Sequence, residues 1–129
     1  MAEGYYRYPT IHGDTVIFVS EDDLWQVGRE GGVAHRLTSN LGEVTHPALS
    51  PDGAWLAFVG REEGNSEVYV MQAKGGRARR LTYVNSQCRV IGWTPDGQQI
   101  IFTSNYGQVA HNEFGLFTVA FESLNSTIT

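Results

Sequence analysis

The chain has 129 residues, of which 41% are apolar, and a formal net charge of −5, which fits one compact domain without the positive face that general nucleic-acid binding requires. No apolar run approaches the length of a membrane span, residues 1–8 lack the apolar core of a signal peptide, and the single Cys88 excludes a disulfide framework within the chain. We therefore expect a cytoplasmic protein whose partners include no nucleic acid and no membrane.

A first repeat is predicted at residues 8–40. Residues 16–19 and 23–27 are rich in β-branched and aromatic side chains, which favours two strands. A Gly31-Gly32 turn follows, and the unit closes with the segment Arg36-Leu37-Thr38.

A second repeat, residues 46–84, is built around the turn sequence SPDG at residues 50–53. Proline presets φ at the first corner, aspartate bonds to nearby amides, and glycine accepts a positive φ. The four strands predicted for this unit are residues 47–49, 55–59, 67–71 and 77–83.

A third repeat, residues 90–124, carries the equivalent turn TPDG at residues 94–97. Asp52 and Asp96 are 44 residues apart, as are Trp25 and Tyr69, whereas Phe117 follows Tyr69 by 48 residues because residues 107–113 form a longer loop. A nearly fixed step with length changes confined to polar loops is typical of a repeat architecture. Residues 120–129 depart from this pattern, so the fourth strand of the third unit is not predicted with the others.

These units predict an all-β fold, a partial β-propeller of about three four-stranded blades. Residues 16–19 and 55–59 are apolar at successive positions, so both faces of their sheets should be covered, as in stacked blades. A closed propeller needs at least four blades. We therefore expect the ring to be completed by remaining blades in cis or by a second copy in trans; a homo-oligomer with twofold pairing would give a six-bladed ring.

Two sequence runs resemble the start of tricorn-type proteases. They are IHGDTV at residues 11–16 and SEDDLW at residues 20–25, and the motif GWTPDG at residues 92–97 supports the likeness. The resemblance extends from about residue 5 to residue 119. The more general SPDG hairpin is shared with the periplasmic propellers of the Tol system and with those of prolyl-oligopeptidase-type enzymes.

The resemblance implies part of a large cytosolic serine peptidase that trims oligopeptides. Such enzymes begin with a six-bladed and then a seven-bladed propeller, which are thought to filter peptides and to scaffold a hexamer. Their catalytic serine and histidine lie in later domains, so the resemblance carries no catalytic residue over to this chain.

Side chains that suggest chemistry are better explained by structural roles. The histidines, which show no compact metal-ligand spacing, are His12 (in a turn where other copies have Asp), His35, His46 and His111. The acidic clusters at residues 21–23 and 62–63 lack the spacing of a calcium loop, which favours solvated charge. We expect no metal and no cofactor.

The one basic cluster comprises Lys74, Arg77, Arg79 and Arg80. It offers a grip for the carboxylate of a peptide, although charges on an outer edge strand are the favoured interpretation. Strand alternation would place Arg79 and Arg80 on opposite sides. The equivalent positions of Trp25, Tyr69 and Phe117 indicate core positions rather than a base-stacking platform.

Two functions remain open at this point. The first is a non-catalytic N-terminal propeller segment of a tricorn-like serine peptidase, scaffolding and gating the access of oligopeptides. The second is a stand-alone propeller module that binds a peptide or a protein. An autonomous enzyme is disfavoured because no Gly-x-Ser-x-Gly elbow is present.

Overall fold

The computed structural model describes residues 6–39, 41–62, 64–107 and 113–121. Within these ranges all regular structure is β-strand, in three antiparallel sheets, and no helix is present. The predicted all-β fold with propeller blades is confirmed.

Blade 1 has the strand order β1-β2-β3-β4, blade 2 has β5-β6-β7-β8, and the described part of blade 3 has β9-β10-β11. The strands are β1 Arg7–His12, β2 Thr15–Ser20, β3 Asp23–Gly28, β4 His35–Arg36, β5 Thr45–Leu49, β6 Trp55–Gly60, β7 Glu67–Gln72, β8 Arg79–Arg80, β9 Cys88–Trp93, β10 Gln99–Ser104 and β11 Gly115–Ala120. The sequence does not predict a fourth strand for blade 3, and residues 122–129, the last of the chain, lie outside the described residues.

The fourth strands are shorter than predicted, since β8 covers two residues rather than residues 77–83. Beyond the C-terminal end of β8, after the backbone bond from Leu81 to Val68, a side chain takes the place of the backbone ladder. The amide of Val68 donates to the hydroxyl of Thr82 at 2.9 Å instead of to a backbone carbonyl. In blade 1 the amide of Leu24 donates in the same way to Thr38 at 3.0 Å.

The turns of blades 2 and 3 form as their sequences predict. Gly53 has a φ of +76° and its amide donates to the carbonyl of Ser50 at 2.8 Å. The amide of Ala54 and the hydroxyl of Ser50 donate to the Asp52 carboxylate at 3.0 and 2.7 Å, which lowers the pKa of Asp52. Asp96 receives the same pair of bonds in blade 3, and its pKa is lowered too.

Apolar side chains fill the two spaces between neighbouring blades. The cluster between blades 1 and 2 consists chiefly of Ile17, Val19, Leu24, Leu56, Phe58, Tyr69 and Met71. The cluster between blades 2 and 3 contains Ala57, Val59, Val68, Val70, Cys88, Val90, Ile100 and Phe102. Blade 2 is therefore buried on both faces, as its continuous apolar strands predict.

The first strands of the three blades, β1, β5 and β9, lie beside one another and form the inner wall of the arc. In β1 and β5 the pairing register shifts near the start of the strand. Tyr8 and His46 occupy these irregularities with φ values of +54° and +53°, and each precedes a proline. Such a φ is uncommon for side chains other than glycine, so these bulges aim two rings in a way that regular strands would not.

Candidate functional site

The starts of the inner strands bring together four side chains from three blades, Arg7, Tyr8, His46 and Arg89, which we call the inner-strand cluster. The Tyr8 and His46 rings lie 4.5 Å apart between centroids, so they join blade 1 to blade 2. The guanidinium of Arg7 lies 5.6 Å from the centroid of Tyr8. Arg89 packs its guanidinium 4.9 Å from the ring of Phe114.

The charged groups of this cluster are two arginines beside one histidine. Arg7 and Arg89 are exposed, whereas His46 is half-buried with its Nδ1 2.8 Å from the hydroxyl of Thr45. Burial and the charge of Arg89 both lower the pKa of His46, so its ring is neutral near pH 7. Two arginines thus present positive charge at one end of the inner wall of an otherwise acidic chain.

His12, expected in a turn, is instead the last residue of β1 and bridges two blades. Its Nε2 lies 2.8 Å from the carbonyl oxygen of Pro51, which can only accept, so Nε2 carries a hydrogen. A Cβ added at Gly53 would come within 2.3 Å of the His12 ring. Gly53 is therefore required both for its positive φ and for this approach.

At the outer edge of blade 2 a buried carboxylate holds the fourth strand in place. Glu67 is 1% exposed and accepts from the Thr82 hydroxyl at 2.6 Å and from the guanidinium of Arg80 at 3.1 Å. The amides of Val84 and Asn85 donate to the same carboxylate at 3.2 and 2.8 Å. We call Glu67, Arg80 and Thr82 the blade 2 clasp.

Blade 1 has the equivalent clasp, formed by Asp23, Arg36 and Thr38. The Thr38 hydroxyl donates to Asp23 at 2.9 Å, but the Arg36 guanidinium is 3.8 Å from the carboxylate and its side chain is 53% exposed. Asp23 begins β3, as the strand predicted at residues 23–27 requires, but its carboxylate is not simply solvated as expected, because it accepts the Thr38 hydroxyl of the segment that follows β4. Glu21 and Asp22 do form the preceding turn, with φ values of +54° and +69°.

The predicted basic cluster is divided among different neighbours. Arg80 belongs to the clasp and stacks 4.1 Å over the ring of Tyr83, whereas Arg79 faces the other way and lies 5.8 Å from the ring of Phe121. Arg77 and Lys74 are exposed. The structure therefore does not assemble these four residues into one carboxylate site.

The remaining candidates occupy separate places. His35 is exposed in β4 and Glu62 is exposed after β6, while His111 and Glu63 lie outside the described residues. Among the described residues, no three His, Cys, Asp or Glu side chains are close enough together to hold a metal ion.

Burial raises the pKa of the Cys88 thiol to about 11, which leaves it protonated and unreactive at neutral pH.

The three aromatic positions pair with phenylalanines across the strands; Tyr69 and Phe117 face the spaces between blades, whereas Trp25 lines an open depression on blade 1. Phe58 stacks on Tyr69 and Phe102 stacks on Phe117, with ring centroids 5.7 and 5.6 Å apart, while Trp25 lies opposite Phe18 in the register of β2 and β3.

Over the described ranges, no helix has the length and hydropathy to cross a bilayer.

Comparison with known proteins places this geometry in a family. Residues 3–129 match the family described as the tricorn protease N-terminal beta propeller domain. Tricorn protease homolog 1 of Streptomyces coelicolor is 41% identical over 110 residues, which are 84% of this chain and 10% of that protein. The tricorn protease homolog of Saccharolobus solfataricus is 38% identical over 108 residues, 78% of this chain and again 10% of the relative.

A crystal structure of the tricorn protease shares the fold with a TM-score of 0.78 and 27% identity, covering 89% of this chain and 12% of that one. The chain thus spans about a tenth of the length of these relatives. It belongs to the tricorn protease family and corresponds to part of its N-terminal β-propeller region.

Proposed function

We propose that this chain is a non-catalytic propeller segment of a cytoplasmic tricorn-type serine peptidase, where it scaffolds the assembly and controls the passage of oligopeptides. The observation that carries the proposal is the inner-strand cluster. It places the exposed Arg7 and Arg89 at one end of the wall that faces the axis of the blades.

The chemistry of this cluster suits the C-terminal carboxylate of a peptide. A guanidinium donates paired hydrogen bonds that match a carboxylate, and its ring contact with Tyr8 or Phe114 holds it in place before a ligand arrives. Neutral His46 adds a polar ring without adding another full charge. A peptide entering along this wall would therefore be held by its free carboxylate.

Fluorescence anisotropy with a short labelled peptide tests the proposal, comparing the free carboxylate with the C-terminal amide. We expect the free acid to bind more tightly and its affinity to fall with added salt, because the attraction is between exposed charges. Arg89→Gln should weaken binding roughly tenfold, since a hydrogen bond to a charged group contributes about 1.5 kcal/mol.

Arg29→Gln is the matched control, because Arg29 is an exposed arginine just after β3 whose amide bonds to Asp14, beyond the end of β1 opposite to Arg7. It should leave the affinity unchanged. Equal binding of the acid and the amide, or an equal loss on replacing Arg29, would contradict the proposal.

A further inference from the structure

The turn that follows the inner strand of blade 2 holds a side chain of the preceding blade. The Nε2 of His12, at the end of β1, donates to the carbonyl oxygen of Pro51 at 2.8 Å. The same imidazole ring lies so close to Gly53 that a Cβ added there would come within 2.3 Å of it. The turn of blade 2 therefore accepts a planar ring that carries an N–H donor.

The equivalent side chain at the junction of blades 2 and 3 is Ser50, which makes no such contact. His12 pairs with Thr15, the first residue of β2, and the amide of Ser50 donates to the carbonyl of Trp55, the first residue of β6. The two residues are thus equivalent in the repeat. The Ser50 hydroxyl, however, donates to Asp52 of its own turn at 2.7 Å and cannot reach the turn of blade 3 in the way that the imidazole reaches blade 2.

An open depression lies between the turns of blades 2 and 3 instead, and we call it the turn pocket. Its volume is about 470 Å³, and its lining includes Pro51, Pro95 and Gly97. A Cβ added at Gly97 would meet only the ring of Pro51, at 3.8 Å. No described residue donates a hydrogen bond to the carbonyl of Pro95, the equivalent of the carbonyl that receives His12.

The charged groups of the turn pocket are two carboxylates, Asp52 and Asp96. Each uses its Oδ1 for both hydrogen bonds within its own turn. These bonds lower the pKa of both carboxyls, so both are ionised at neutral pH. No lysine or arginine is among the described residues that line the pocket, so its charge suits a cation.

Aromatic rings narrow the choice of cation. Trp55 and Phe121 both line the turn pocket, with centroids 4.9 Å apart and planes at 61°. Arg79 lies 5.8 Å from the centroid of Phe121 but does not line the pocket. A guanidinium is planar like the imidazole of His12, stacks on aromatic rings and donates several hydrogen bonds at once, whereas the ammonium of lysine is a compact point charge.

We propose that the turn pocket binds the arginine side chain of a peptide, with the guanidinium donating to the Asp96 carboxylate and to the Pro95 carbonyl beside the ring of Trp55. The pocket lies at the opposite end of the inner strands from the inner-strand cluster. Both blades that form it are within this chain. The inference therefore depends neither on a peptide carboxylate nor on what covers the ends of the arc.

Fluorescence anisotropy tests the proposal with a short labelled peptide that has a C-terminal amide and a single arginine. The amide removes the free carboxylate, so the result does not depend on the proposed function of the inner-strand cluster. We expect arginine to bind roughly tenfold more tightly than citrulline, which has a similar shape without the charge, and lysine to lie between them. Equal affinities for the arginine and citrulline peptides would overturn the proposal.

Asp96→Asn removes one charge and keeps an oxygen for the bonds within the turn. It should weaken binding of the arginine peptide roughly tenfold. Asp14→Asn is the matched control, because Asp14 is an exposed aspartate in the corresponding turn of blade 1 and does not line the pocket. An equal loss with Asp14→Asn would show that affinity follows the net charge of the chain, and the assigned site would be wrong.

Nuclear magnetic resonance locates the peptide on the unaltered chain, so the test does not rely on the folding of a variant. Titration with the amidated arginine peptide should shift the backbone amide resonances of Gly97 and Gln98, which belong to the turn of blade 3. The resonances of Arg7 and Arg89 should change little. The reverse pattern would place the peptide at the inner-strand cluster and would overturn the inference.

Discussion

The outer edge and the inner end of the blades use arginine in opposite ways. At the outer edge Arg80 donates to a carboxylate that is 1% exposed, and its own side chain is 18% exposed. At the inner end Arg7 and Arg89 pack one face on an aromatic ring and remain exposed. We infer that a buried, paired cation stabilises the fold, whereas an exposed cation beside a ring is available to a ligand.

The largest effect is expected from Glu67→Ala, which removes the acceptor of the blade 2 clasp. It leaves Arg80, the Thr82 hydroxyl and two backbone amides without their carboxylate. Breaking a buried pair in this way typically costs about 3–5 kcal/mol. Urea denaturation measures the loss, with Glu62→Ala as the exposed control. A loss below about 0.5 kcal/mol for Glu67→Ala, the ordinary range of surface changes, would contradict the role of the clasp.

A smaller loss is expected from Thr82→Val, which keeps the shape of the side chain and removes its hydroxyl. The hydroxyl joins the amide of Val68 to Glu67, so its removal leaves a buried donor unsatisfied at a cost of about 1–3 kcal/mol. Free energies of unfolding from the same denaturation series test this. Thr82→Ser, which restores the hydroxyl, should recover part of the stability, and no recovery would point to packing instead.

Asp23→Ala breaks the blade 1 clasp and should cost less, about 1 kcal/mol. Its arginine partner is half-exposed at 3.8 Å, and exposed ion pairs contribute about 0–1 kcal/mol. The comparison with Glu67→Ala contrasts a buried acid that also accepts two backbone amides with a more exposed acid in the equivalent place. Equal losses in the two blades would show that burial does not set the strength of the clasp.

The smallest effect concerns pH and the inner end. His46 faces Arg89 of β9 and Tyr8 of β1, and its pKa in the fold is below 6.5. Because the unfolded chain takes up the proton first, stability should decrease as the pH falls below about 6.5 and level off below the lowered pKa. The measurement is the midpoint temperature of thermal unfolding as a function of pH. His46→Asn, whose new side chain tolerates the positive φ, should make this temperature depend less on pH, whereas His35→Asn at an exposed position should leave the dependence unchanged. A slope unaffected by His46→Asn would contradict the assignment.

The turns and the interblade core were predictable because their determinants are local. Asp52 and Gly53 encode their turn within a few residues, and continuous apolar runs indicate strands covered on both faces. The clasps were missed, although Asp23 and Glu67 are spaced by 44 residues like the arginines and threonines that bind them. The acid precedes its arginine by 13 residues, a distance that only the folded hairpin brings within hydrogen-bond reach.

The inner-strand cluster could not be predicted from the sequence for a different reason. Arg7 and Arg89 occupy equivalent positions, opposite Val19 and Thr103, but Thr45 stands at that position in blade 2, so the repeat is incomplete and does not mark the cluster. Tyr8 and His46 meet because bulges with positive φ turn both rings toward each other, and a bulge leaves no regular pattern of apolar residues. The basic cluster near Arg80 was conspicuous in the sequence, yet its arginines bind their own blade and its neighbour.

The most direct test compares Arg80→Gln with Arg89→Gln, measuring for each variant both the free energy of unfolding and the affinity for a peptide with a free carboxylate. We expect Arg80→Gln to lower stability by about 1.5–3 kcal/mol and to leave the affinity unchanged. Arg89→Gln should weaken binding of the peptide and change stability by less than about 0.5 kcal/mol. If Arg89→Gln destabilised the fold as much as Arg80→Gln and spared the peptide, the division between an outer structural edge and an inner binding end would be wrong.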